Sequence, residues 1–145
     1  MKYTDWLVPR LVHLEEYRAF LENVPQRISD LRHRVEMINA SRPDKISVMS
    51  SSRDPDEAII NSIMERQELE ISESIIRSDV AWLESGLAKL TPDERMILER
   101  FYIRRRKDYL ERLTEDLHVE RSEVYRLKDQ ALRRLARLLV GRVEV

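Results

Sequence analysis

Between Pro55 and Gly86 the chain carries neither glycine nor proline, and its apolar residues recur at helical intervals, so this stretch is expected to form one long α-helix. Its apolar residues form two stripes. Ile60, Met64, Ile71, Ile75 and Trp82 step by four, seven, four and seven, a spacing that resembles a heptad seam. Ile76, Val80, Leu83, Leu87 and Leu90 make a second stripe along the later half. Roughly 35 residues at ~1.5 Å each give a rod of about 50 Å, which cannot bury two stripes by itself. It needs the N-terminal helices, a second subunit, or both, and a homodimer through the long helix is the expected assembly.

The remainder of the chain reads as helix too. A protein of 145 residues with 37% charged residues and only two glycines lacks the frequent turns of a sheet-rich fold, so the expected class is all-α. Trp6, Leu7, Leu11, Leu14, Tyr17 and Leu21 mark a first helix from Thr4 to Glu22, with Pro9 near its true start. A break at Asn23 to Pro25 and a second series, Ile28, Leu31, Val35 and Ile38, would complete an N-terminal helical hairpin over residues 1–39. Residues 40–53 read as a polar, serine-rich linker. Asp54, Pro55 and Glu57 then supply a capping box for the long helix, residues 54–90, and Thr91, Pro92 and Glu94 repeat that chemistry at the head of a C-terminal domain, residues 91–145.

Charge separates the two ends. Residues 1–90 hold 12 Lys and Arg against 16 Asp and Glu, whereas residues 91–145 hold 14 against 11, so a polyanion is expected at the C-terminal end. With no cysteine, disulfides, iron–sulfur clusters and thiolate zinc sites are excluded. The first residues lack a signal-peptide core and no apolar stretch approaches membrane-spanning length, so a cytoplasmic protein with no membrane contact is expected. His13, His33 and His118 are isolated from one another, and no HExxH, nucleophile elbow or glycine-rich phosphate loop occurs. No catalysis, cofactor or metal site is expected.

Within the basic end, YLERLTEDL places Leu110, Leu113 and Leu117 on one face of a short helix; HVE makes a tight connection, and a longer helix follows from Arg121 to about Val140. This is helix-turn-helix spacing. On the second helix Val124, Leu127, Ala131, Leu135 and Leu138 form the expected packing stripe, leaving Ser122, Arg126 and Arg133 outward with Arg121 and Tyr125 on the flank. An arginine there can pair with guanine O6 and N7, Ser122 can donate or accept, and Tyr125 can meet a phosphate or a thymine methyl. Arg104, Arg105, Arg106 and Lys107 precede the motif and suit phosphate contacts that do not depend on sequence. Asp129 lies awkwardly between Arg126 and Arg133: either only the first two turns of the helix enter a groove, or Asp129 pairs with those arginines.

From Leu90 to Leu139, about a third of the chain, the sequence resembles region 4 of bacterial sigma factors: TPDERMIL opens the first helix, LERLTEDLHVE matches the first motif helix and turn, and RSEVYRLKDQALRRL matches the recognition helix. The resemblance implies that Arg121, Ser122, Tyr125 and Arg126 read bases or hold the backbone, and that Lys128 and Gln130 occupy positions that contact activators or flanking phosphate. Thr114 stands where the family has a small alanine, and His118 where it has a turn glycine; His tolerates positive φ better than most residues. The aromatic-rich region 2 of a complete sigma factor is absent. The full layout, including the doublet Phe101-Tyr102, resembles the RinA/ArpU-type phage late-gene transcriptional regulators, which implies a promoter-binding activator acting on double-stranded DNA in a bacterial host cell. Two alternatives stay open: a phage terminase small-subunit-like packaging protein, whose DNA-binding motif usually comes first, and a sigma-4-like adapter whose partner is RNA polymerase.

Overall fold

The computed structural model describes residues 2–41 and 54–142. Among these residues the fold is all-α: α1 (Tyr3–Val12), α2 (Leu14–Ser41), α3 (Pro55–Leu87), α4 (Pro92–Leu98), a π-helical turn (Glu99–Ile103), α5 (Tyr109–Leu117) and α6 (Arg121–Val140). No helix among them is long and apolar enough to cross a membrane. Most of the expected serine-rich linker lies outside the described residues. The chain divides into two compact units, one made of Met1–Arg18 with Ser78–Val145 and the other of Ala19–Arg77.

The N-terminal helices differ from the expected hairpin. The break falls at His13, and α2 continues through Pro25. An internal proline removes one helical hydrogen bond and crowds the preceding turn, but Val24, Ile28 and Leu31 bury one continuous face, which outweighs that local loss. Pro9 likewise lies inside α1 rather than at its start.

In the Ala19–Arg77 unit α2 and α3 run antiparallel. Arg34 and Ile38 line one groove with Asp54, Ala58 and Ser62, while further along the pair the Arg27 guanidinium meets Glu65 at 2.6 Å. Asp54 starts α3 by accepting a hydrogen bond from the Asp56 amide at 2.9 Å.

The other unit holds the larger core. Leu7 and Leu11 of α1, Leu14 of α2, and Val80, Leu83 and Leu87 of α3 are buried, as are Leu98 of α4 and Ala131, Leu132, Leu135 and Ala136 of α6. Trp6 stacks on Trp82 with ring centroids 5.8 Å apart. Gly86 lets the end of α3 approach α6: a Cβ there would lie 2.7 Å from Leu139 Cδ2 and 2.8 Å from Leu135 Cδ1. After α3, the Thr91 hydroxyl accepts from the Glu94 amide at 3.2 Å while the Thr91 amide donates to the Glu94 carboxylate at 2.9 Å, so the second capping box closes as expected.

One acid ties distant segments of this unit together. Glu15 receives the Arg18 guanidinium at 2.7 Å and faces Arg104 at 3.4 Å; the Arg18 bond, helped by Arg104, holds its carboxyl below the ordinary value of 4.5. A carboxylate depressed by folding adds stability above its unfolded pKa and loses it as pH falls through the folded one. Glu15→Gln should therefore lower the melting temperature slightly at neutral pH and leave it unchanged in the acid range. Paired thermal melts across pH check this.

Candidate nucleic-acid interface

The helix pair α5 and α6 follows from local chemistry. The α5 helix ends at His118, which adopts φ 56 and ψ 45, the left-handed conformation that terminates helices. The Val119 amide then donates to the Thr114 carbonyl at 3.2 Å. Thr114 turns its hydroxyl back onto the Glu111 carbonyl at 2.7 Å, which satisfies the polar atom that alanine would lack. The α6 helix ends on Gly141 with φ 76.

A small core fixes the pair. Ile97, Phe101, Leu113 and Val124 are buried together, with Met96, Tyr102, Tyr109, Leu110, Leu117, Val119 and Leu127 packed around them. The packing stripe on α6 is broader than expected and slightly rotated: Leu132 and Ala136 are buried beside Val124, Ala131 and Leu135, whereas Leu138 is 39% exposed. A helix advances 100° per residue, so a face held by neighbours on two sides takes i, i+1, i+4 positions rather than a single row.

Phe101 organises the polar groups as well. Its ring lies edge-on to Tyr109 at 5.1 Å and to Tyr125 at 5.7 Å. Lys128 Nζ sits 5.2 Å from the Phe101 centroid and 5.9 Å from that of Tyr125, and the Arg105 guanidinium stacks 4.2 Å from the Tyr109 centroid while donating to the Tyr109 hydroxyl. A chain of rings and cations thus links the basic run to α6. Phe101 reaches this position inside the π-helical turn, where the Arg104 amide donates to the Glu99 carbonyl at 2.7 Å. Such turns insert one extra residue and redirect the side chains that follow.

The expected site residues divide into three groups. Arg121, Ser122, Tyr125 and Arg126 are exposed at the leading end of α6, with Gln130 and Arg133 exposed further along. Arg126 pairs with Glu123 through both carboxylate oxygens, one at 2.9 Å, which raises the arginine's pKa and lowers that of the acid. Asp129 pairs with neither Arg126 nor Arg133; it accepts from Lys128 at 2.7 Å. Lys128 itself is turned inward, with its side chain 16% exposed. Burial opposes its charge, but the Asp129 carboxylate and the Tyr102 hydroxyl outweigh that and hold its pKa above the ordinary lysine value.

The basic run splits in the same way. Arg104 lies between Glu15 at 3.4 Å and Glu99 at 3.7 Å, and Arg105 is stacked on Tyr109. Arg106 and Lys107 are exposed and have no ion-pair partner among the described residues. Sequence reasoning passed over two further arginines. Arg100 and Arg112 join Arg104 and Arg106 around a cavity of about 320 Å³ that Glu99 and Asp108 also line. Arg112 donates to Asp108 at 2.6 Å and holds its carboxyl below the ordinary range, and Arg100 pairs with Asp116. The i, i+4 spacing of Asp108 and Arg112 was a visible signal, but it reads as an ordinary helix-surface pair.

Chemically, the arrangement offers planar donors at a helix end, suited to base edges or phosphate, and a cationic recess suited to phosphate oxygens. The chain matches no known protein family, no curated protein and no solved structure.

Proposed function

We propose that the chain is a sequence-specific regulator of transcription that binds double-stranded DNA, of the phage late-gene activator kind, with α5 and α6 working as a helix-turn-helix. The observation that carries this reading is a set of exposed cationic and polar side chains, Arg121, Ser122, Tyr125 and Arg126, at the head of α6, tied to the basic run and its arginine-lined cavity through the ring contacts of Phe101 with Tyr125 and Tyr109. The leading turns of α6 enter the major groove, where Arg126 leaves Glu123 for guanine O6 and N7. Arg106, Lys107 and the outer faces of Arg100 and Arg112 take phosphates on either side.

Glu123 sharpens the discrimination. An arginine held by an acid gains from DNA only where a base offers better acceptors than the carboxylate, so a wrong base leaves Arg126 on Glu123 and Glu123 against the groove. Selection of bound duplexes from a random pool should yield a defined motif. Arg126→Ala is expected to erase preference at one G·C position at a cost of about 1–3 kcal/mol, and Glu123→Ala to tighten binding to all sequences while narrowing the gap between right and wrong ones. A pool that returns no motif, or an Arg126→Ala profile identical to wild type, overturns the reading.

A further inference from the structure

Burial separates the two stripes of α3. Ser62 is buried, beside Arg34 and Ile38 of α2, and Ile59, Ile63 and Leu69 are half-buried, but Ile60, Met64, Ile71 and Ile75 stand 55%, 53%, 61% and 57% exposed. At about 100° per residue these four fall within about 60° of one another, on the side of α3 turned away from the buried one. The series continues to Trp82, where Trp6 of the same chain covers it at 5.8 Å. Nothing among the described residues covers the other four.

The geometry points to a second copy of this chain, run antiparallel, as the occupant of that face. Steps of four, seven and four read the same in both directions. A two-fold axis between Gln67 and Glu68 therefore sets Ile60 against the partner's Ile75 and Met64 against the partner's Ile71, which is the self-complementary pattern that an isologous interface requires. Ile60 and Met64 recur eleven residues later as Ile71 and Ile75, a period close to that of a straight helix, so the two faces can stay in register without strong supercoiling. Near the axis Gln67 meets the partner's Gln67 on one flank, where two amides can exchange hydrogen bonds, and Glu68 meets the partner's Glu68 on the other. The apolar band is about 22 Å long and buries less than the ~1,200 Å² of a standard interface, so association in the micromolar range is expected. This assembly does not depend on DNA binding.

The test uses the full chain, whose natural lack of cysteine makes introduced thiols unambiguous. Sedimentation velocity should show a monomer–dimer equilibrium that Met64→Glu with Ile71→Glu weakens at least tenfold, with far-UV circular dichroism unchanged because both side chains are exposed. Gln67→Cys should give a disulfide-linked dimer on oxidation. Ile60→Cys alone should not, whereas Ile60→Cys mixed with Ile75→Cys should give the mixed dimer. Salt should strengthen the association by screening the paired Glu68 carboxylates, the opposite of its effect on DNA binding. A chain that stays monomeric, a dimer indifferent to the Met64 and Ile71 changes, or efficient Ile60→Cys self-linkage, which marks a parallel pair, overturns the proposal.

Discussion

Phe101→Ala is expected to destabilise the protein by about 3–5 kcal/mol and to abolish DNA binding, although Phe101 is 7% exposed and presents almost nothing to a ligand. The loss has two parts. Removing the ring empties the centre of a core shared by Ile97, Leu113 and Val124, where neighbours on three different elements cannot all collapse inward. It also releases Tyr109, Tyr125 and Lys128, whose ring and cation contacts converge on that side chain. Phe101→Leu distinguishes the parts: it restores most of the volume and should cost less than half as much in urea unfolding, yet it should still weaken DNA binding because Tyr125 and Lys128 lose the face they lean on. If Phe101→Leu binds as tightly as wild type, the ring contacts contribute only packing.

The second large effect concerns the basic run. Arg106→Ala with Lys107→Ala should remove two phosphate contacts, reducing the slope of log affinity against log salt by about 1.8 at ~0.9 per contact. Binding at moderate salt should fall by one to two orders of magnitude, with thermal stability nearly unchanged, because neither side chain forms an ion pair among the described residues and Arg106 acts on Asp108 only through longer-range attraction. Arg104→Ala with Arg105→Ala should behave in the opposite manner. Those side chains hold Glu15 and Tyr109, so the double change should lower the melting temperature and alter the salt slope less. Titrations at several salt concentrations, with a melt of each variant, separate the pairs. Equal slopes for both doubles would show that the run acts as an undifferentiated patch of charge.

The contrast between neighbouring arginines illustrates how much of the interface could be read in advance. That residues 104–107 are cationic and precede a helix pair is visible in order and spacing alone. Which of them is committed to the protein depends on Glu15, which lies 89 positions before Arg104 (104 − 15), and on a π-helical turn whose inserted residue no local pattern announces. Lys128 is a similar case. Helical phase puts it beside Tyr125, three residues back, but the Phe101 ring draws its stem inward. Of the two readings of Asp129, its pairing with Arg126 and Arg133 is not found: Glu123, three residues before Arg126 and as close on the helix as Asp129 three after it, holds that arginine, and Asp129 accepts from Lys128.

What the sequence determined by itself was whatever is settled within a turn or two of chain: the Thr91 capping box, the reversal at His118, the bounds of α5 and α6, and the presence of two apolar faces on α3. These follow from capping chemistry, backbone sterics and periodicity, which act between residues a few positions apart. Only the tertiary structure decided that α2 runs through Pro25, that one face of α3 is covered while Ile60, Met64, Ile71 and Ile75 remain exposed, and that Arg104 is drawn between Glu15 and Glu99. Each of those outcomes is a competition between partners far apart in the chain, and its winner is set by burial and charge that exist only once the helices have packed.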